Sequence, residues 1–139
     1  MNFPVIDLHC DTVLALLGDD MNQAGSLRKN DFHIDLERAS RLGGYAQCFA
    51  CFTTPFMEKR HHVSPVVAFE REIATLQREM DKNKDLISVA YSPKEIEENR
   101  KNGKKSAILT LEGTAGIGYD PELLSSPCLI GIRISIVGR

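Results

Sequence analysis

The sequence predicts an α/β fold with a parallel sheet, and three observations carry that. Strand-like and helix-like segments alternate along the 139 residues. The segment from Tyr45 to Thr53 is almost continuously apolar, as a strand covered on both faces should be. Polar groups, not a glycine-rich turn, stand at the carboxyl ends of the predicted strands. Such alternation implies parallel strands with helical crossovers, which build either an open doubly wound sheet or a (β/α) barrel. In a barrel the active site forms at the carboxyl ends of the strands.

The first strand runs from Phe3 to Asp11, with Val5, Ile6 and Leu8 expected to pack it into the sheet. Alternation along a strand places Asp7, His9 and Asp11 on one face. Thr12 to Leu17 reads as a short helix ended at Gly18, and residues 19–31 as a polar excursion. A helix of about two turns is expected from Ile34 to Leu42, stopped by Gly43-Gly44. The second strand spans Tyr45 to Thr53, and Glu58 to His62 reads as a charged loop carrying His61 and His62.

Ser64 and Pro65 are suited to cap and start a long helix to Lys82. Val66, Phe69, Ile73, Leu76 and Met80 form its apolar stripe, and Glu70, Arg71, Glu72, Arg78 and Glu79 line the other side. A short strand is expected at Leu86–Ala90, and a helix from Pro93 to about Asn102, capped by Ser92 and stopped by Gly103. The next strand, Ser106 to Leu111, ends in Glu112-Gly113, and Gly116 and Gly118 are expected to keep the following loop open. Asp120-Pro121-Glu122 starts a further short helix, and Ile130 to Val137 a last strand.

Length and composition fit a single domain or part of one, residues 1–139. A net charge of −2 gives no electrostatic case for nucleic acid or an anionic membrane as partner. No apolar run approaches the roughly 20 residues of a membrane span. The N-terminus lacks a basic start and an unbroken apolar run, so the chain reads as cytoplasmic. Cys48 and Cys51 have C-x-x-C spacing, but their strand-like context puts them on opposite faces, as buried thiols.

The chemistry centres on His9, Asp11 and Glu112. His9 and Asp11 can hold one metal ion from two sides at a strand end, or form a hydrogen-bonded His/Asp cluster without one. A carboxylate at Glu112, after a second apolar strand, projects into the same space and can bridge two ions. The alternative for Glu112 is an ion pair with Arg133 or Lys105. A second H-x-D, His33-Ile34-Asp35, opens a helical segment, where Asp35 acts as a cap.

Four stretches in series resemble the renal (membrane) dipeptidase family, the M19 metallopeptidases of the amidohydrolase-like barrels. They are Ile6-Asp7-Leu8-His9-Cys10-Asp11, then His33-Ile34-Asp35-Leu36 leading to Gly43-Gly44-Tyr45-Ala46-Gln47-Cys48-Phe49, then Leu109-Thr110-Leu111-Glu112-Gly113, then Leu129-Ile130-Gly131-Ile132-Arg133. The resemblance implies the N-terminal part of a (β/α)8 TIM-type barrel, incomplete here. It implies a binuclear zinc site that hydrolyses dipeptides with a zinc-activated hydroxide. His9 and Asp11 would bind the first zinc, and Glu112, the catalytic assignment, would bridge both. The second-site histidines, the substrate-binding Arg and a late-strand Asp belong to later strands, so this chain alone is expected to be inactive or nearly so. The other readings are a non-catalytic barrel fragment binding at most one metal ion, or another amidohydrolase-type hydrolase. Those relatives usually carry H-x-H on the first strand, not H-x-D. Exposed barrel edges would favour self-association or a homo-oligomer.

Overall fold

A computed structural model describes residues 3–21, 25–120, 122–123 and 133–135. Five strands form one sheet: β1 (Pro4–Cys10), β2 (Gly44–Phe52), β3 (Ile87–Val89), β4 (Lys105–Glu112) and β5 (Arg133–Ser135). The helices are α1 (Thr12–Leu17), α2 (Leu36–Ala39), α3 (Met57–His61), α4 (Pro65–Lys82) and α5 (Pro93–Lys101). All strand pairings are parallel, as the alternation requires. Spatial order departs from chain order, because β4 and not β3 lies beside β2. β3 and β5 share the far edge of β4, pairing with Lys105–Ala107 and with Thr110–Glu112.

The core lies between the sheet and the helices α1 and α4. Val13 and Leu16 from α1, Leu76 and Met80 from α4, and Cys10, Phe49, Ile87, Ala107 and Leu109 from the strands form one cluster. A second cluster joins Cys51, Phe69, Leu111 and Ile117 near the carboxyl ends of the strands. Cys48 and Cys51 are buried free thiols, as their strand context predicts.

Local signals place α4 well. Its bounds match the expected ones, with Ser64 Oγ accepting from the Val67 backbone N–H and Pro65 in the first turn. Its faces differ from expectation. Glu72 and Glu79 lie on the packed side, fully buried, while Val66 is exposed. Glu72 stands three residues beyond Phe69 and four before Leu76, so it falls within the stripe that meets the sheet. Glu79 has a structural partner set: it accepts from the Leu27 backbone N–H (2.8 Å) and from Lys82 Nζ (3.1 Å), tying the segment after Gly25 to the helix. Both oxygens of Glu72 lack a hydrogen-bond partner. Burial, with the Asp11 charge adding to it, pushes the Glu72 carboxyl up to about 9.

Several other expectations are corrected. α2 is four residues long, not two turns, with Asp35 as its N-cap accepting from the Arg38 backbone N–H at 2.8 Å. The charged stretch 57–61 is a helical turn, α3, not a loop; its acidic start and basic end suit the helix dipole. The segment holding Gly116 is closed, not open. Ala115–Ile117 forms a buried 3₁₀ turn, and a Cβ at Gly116 would stand 2.8 Å from Thr53 Oγ1 and 2.9 Å from Phe69 Cβ. Val5, Ile6 and Leu8 do not pack into the core: Ile6 is 59% and Leu8 76% exposed. β1 is bonded only along its β2 edge among the described residues, so nothing there covers them. The expected last strand is represented by β5; Cys128 and most of the helix expected after Asp120 lie outside the described residues.

Two predictions follow from buried groups. Folded Glu72 keeps its proton to about pH 9, whereas the unfolded chain releases it near 4.5. Glu72 therefore lowers stability progressively as pH rises through that window, and not below it. Glu72→Gln should raise the melting temperature increasingly from pH 5 to 9 and leave it unchanged near pH 4, as thermal unfolding followed by circular dichroism would show. Gly113 has φ +83°, and a Cβ there would sit 2.7 Å from the Thr53 carbonyl oxygen. Gly113→Ala should cost about 2–3 kcal/mol in urea unfolding, because neither the dihedral nor the contact can relax cheaply.

Candidate metal centre

β1 carries a register break that shapes the site. Asp7 pairs with Gln47 and Cys10 with Phe49, so three steps along β1 match two along β2. Gln47 and Phe49 share a face of β2, and so Asp7 and Cys10 share that face as well. Strict alternation would separate them. Cys10 thereby enters the core beside Val13, Leu16 and Phe49. Asp7 is displaced from the face expected for it and accepts from the His9 backbone N–H at 3.1 Å.

β4 presents Glu112 from the other side. Leu109 and Leu111 pack toward the helices, so Ile108, Thr110 and Glu112 alternate to the opposite face. Phe52 is the register partner of Glu112, and the Thr53 backbone N–H donates to the Glu112 carbonyl at 3.3 Å. Gly113 lets the chain turn away immediately after the carboxylate, against the Thr53 backbone.

The result is a cluster of three side chains. His9 Nε2 lies 3.4 Å from Asp11 Oδ1 and 3.6 Å from Glu112 Oε2. One ligand atom from each of His9, Asp11 and Glu112 falls within 4.8 Å of the others. Asp11 begins α1 as its N-cap but makes no side-chain capping bond, leaving its carboxylate to face His9. The set suits a divalent ion. Four ligands at about 2.1 Å around a tetrahedral ion stand about 3.4 Å apart, close to the His9 distances. Histidine and carboxylate are also ordinary zinc donors. His9 and Asp11 are half-exposed and Glu112 is 24% exposed, so the cluster is open to solvent. A cavity of about 520 Å³ adjoins it, with His9, Asp11, Asp31, Phe32 and His33 among its walls.

The structure thus brings together His9, Asp11 and Glu112 and leaves Asp7 outside. The alternative partners of Glu112 fall away where they are described, since Lys105 Nζ donates to the Leu42 carbonyl at 2.7 Å. His61 and His62 stay away from the cluster: His61 Nδ1 is 2.7 Å from the Asp19 carbonyl oxygen at the end of α3. Gln47 is satisfied by the Cys48 carbonyl (3.0 Å) and by the Tyr45 hydroxyl, which donates to its Oε1. Asp35 serves structure. Burial would raise its carboxyl, but the Arg38 backbone N–H and guanidinium outweigh that and hold it below the usual range. One buried charged group on α4 was missed by periodicity, namely Glu72. Its signal was its position between Phe69 and Leu76 in the apolar stripe.

The fold has solved counterparts. A metallopeptidase from Rhodobacter sphaeroides, liganded with a phosphinate mimic of the dipeptide L-Ala-D-Ala, superposes with a TM-score of 0.74 at 21% identity. The superposition covers 96% of this chain and 45% of that one. The dipeptidase AC, a metallopeptidase of family M19, gives 0.75 at 22% identity, over 97% of this chain and 43% of its own. The probable dipeptidase PvdM from Pseudomonas aeruginosa gives 0.67 at 21%, over 97% and 35%. This chain therefore spans less than half the length of these relatives and has the fold of part of their TIM-barrel-like architecture. No curated protein matches it. The family model of the membrane dipeptidases matches residues 1–137, nearly the whole chain, and the protein therefore belongs to the membrane dipeptidases, peptidase family M19.

Proposed function

We propose that this chain carries the first-metal half of a dipeptidase site, with His9 and Asp11 holding one zinc ion and Glu112 bridging to a second. The observation that carries this reading is the convergence of one imidazole and two carboxylates from the ends of β1 and β4. Family membership supplies the reaction class, metal-dependent hydrolysis of a dipeptide. When bound, the divalent ions supply a nucleophilic water at neutral pH and polarise the peptide carbonyl.

The residues of this chain do the rest. The buried Cys10 and the β2 pairing fix the backbone beneath His9, so its imidazole is directed by the core and not by a loop. Asp11 and Glu112 concentrate negative charge where a dication sits. Their half-open setting leaves room for a small peptide in the adjoining cavity. No helix among the described residues is long and apolar enough to cross a membrane. A cytoplasmic location remains part of the proposal.

Metal binding without hydrolysis is the second reading. It is favoured by the three ligand side chains among the described residues sufficing for one ion but not for two.

Zinc titration of the purified chain by calorimetry tests the site. The wild type should bind, and His9→Ala and Glu112→Ala should each weaken binding at least about tenfold. Unchanged zinc content in both variants would remove the assignment. With zinc added, the 139-residue chain should hydrolyse L-Ala-D-Ala no faster than buffer, since the cluster offers ligand side chains for one ion among the described residues. Measurable turnover, abolished in Glu112→Ala, would overturn that expectation and assign catalysis to this chain by itself.

A further inference from the structure

Gln47 is a fully buried amide in a strand that is otherwise almost entirely apolar. Valine or leucine would pack there without the cost of desolvating a polar group. The bonds of this amide lie where β1 loses its register. Its Oε1 accepts from the Tyr45 hydroxyl, and its Nε2 donates to the Cys48 carbonyl at 3.0 Å and, across to β1, to the Asp7 carbonyl at 3.5 Å. Asp7 is the last residue of β1 in regular register with β2. Pairing resumes only at Cys10, so Leu8 and His9 have no register partner. His9 stands in that unpaired stretch, and its backbone is placed by what holds the two ends. Cys10 holds one end through the core. At the other end Gln47 holds the Asp7 carbonyl, and the Asp7 carboxylate accepts from the His9 backbone N–H at 3.1 Å. A run of hydrogen bonds thus leads from Tyr45 through Gln47 and Asp7 to the backbone of His9.

We propose that Gln47 is a positioning residue for His9, acting through Asp7 to hold the β1 register break in the geometry that aims the imidazole at Asp11 and Glu112. The inference rests on the metal reading given above. A bulge is a soft place in a sheet, because the residue it adds forgoes its ladder bonds. A buried donor at that point replaces part of the ladder with a bond of fixed direction. The Tyr45 hydroxyl settles which way the amide faces: with Oε1 engaged by the hydroxyl, Nε2 is left to the two carbonyls. Only an amide serves both ends, since an aliphatic side chain offers neither group and an ionised carboxylate offers no donor. Asp7 then has a use although it lies outside the ligand cluster. It carries the fixed position of β2 over to the His9 amide, and groups that orient a ligand from behind raise metal affinity.

The test compares the wild type with Gln47→Met, Asp7→Ala and Asp7→Asn, first metal-free and then with zinc. In the metal-free proteins, exchange of the His9 amide hydrogen is followed by NMR. Gln47→Met and Asp7→Ala should each speed it about fivefold, the effect of losing one hydrogen bond of ordinary strength. Asp7→Asn keeps an acceptor for the His9 N–H and should leave it unchanged. If Gln47 serves only packing, Gln47→Met would speed exchange of core amides such as Leu109 through lower global stability and leave His9 as it was, and that overturns the proposal. In zinc titration by calorimetry, Gln47→Met and Asp7→Ala should each weaken binding about tenfold, and the double variant no further than either alone, because both break one chain of bonds. Additive losses overturn the proposal. So does an Asp7→Asn variant as weak as Asp7→Ala, since charge and not the hydrogen bond would then be responsible. If Gln47→Met does not fold, Tyr45→Phe, which frees the amide to turn, takes its place with the same direction of effect in both measurements. Absence of zinc binding in the wild type sinks the metal reading, and His9 exchange then decides the role of Gln47 by itself.

Discussion

The site depends on the register break in β1. Between Asp7 and Cys10 the strand gains one residue over β2. That extra residue moves Cys10 onto the helix-facing side, where the core holds it, and lets the imidazole before it meet Glu112. It also ends the strand at Cys10, so that Asp11 becomes the N-cap of a new helix and not the last residue of the sheet. A regular strand would have put Asp7 with His9 and left Cys10 on the wrong face. Bulges commonly re-aim a side chain beside an active site, and this one acts through a buried anchor.

Glu112 is held differently. Its strand is paired on both edges, with β2 along most of its length and with β5 at Thr110–Glu112. The chain then leaves through Gly113, whose backbone lies against Thr53, and through Gly116, which lies under Thr53 Oγ1 and against Phe69. The end of β2 thus serves as a template for the turn after β4. The ligand atoms are open to solvent, but the backbones beneath them are fixed by tight contacts. This suits a site that must stay accessible while keeping its side chains in place.

Local features were legible in the sequence. The bounds of α4 follow from Ser64, Pro65 and a periodic stripe, all within one segment. His9, Asp11 and Glu112 were readable because a polar residue ending an apolar strand has few other uses. The rest depended on neighbours distant in the chain. Within α4, Glu72 differs from Glu70 only in its spacing from Phe69 and Leu76, a mark easily overridden by its charge. Leu8 reads as a core residue, yet burial of a strand depends on what lies beside it, and β1 has a single strand neighbour among the described residues. The bulge that excludes Asp7 is a property of the β1–β2 pairing and has no mark in β1 alone.

The buried Glu79 bears on the order in which the chain assembles. Its bond to the Leu27 backbone joins positions 52 residues apart. Closing a loop of that size costs about 3–4 kcal/mol of chain entropy, which one hydrogen bond does not recover. The latch can therefore form only after α4 has docked on the sheet and brought its carboxylate into place. The segment from Ser26 through His33, whose Asp31, Phe32 and His33 wall the cavity beside the cluster, is then held by α4 and by Leu27 in the core.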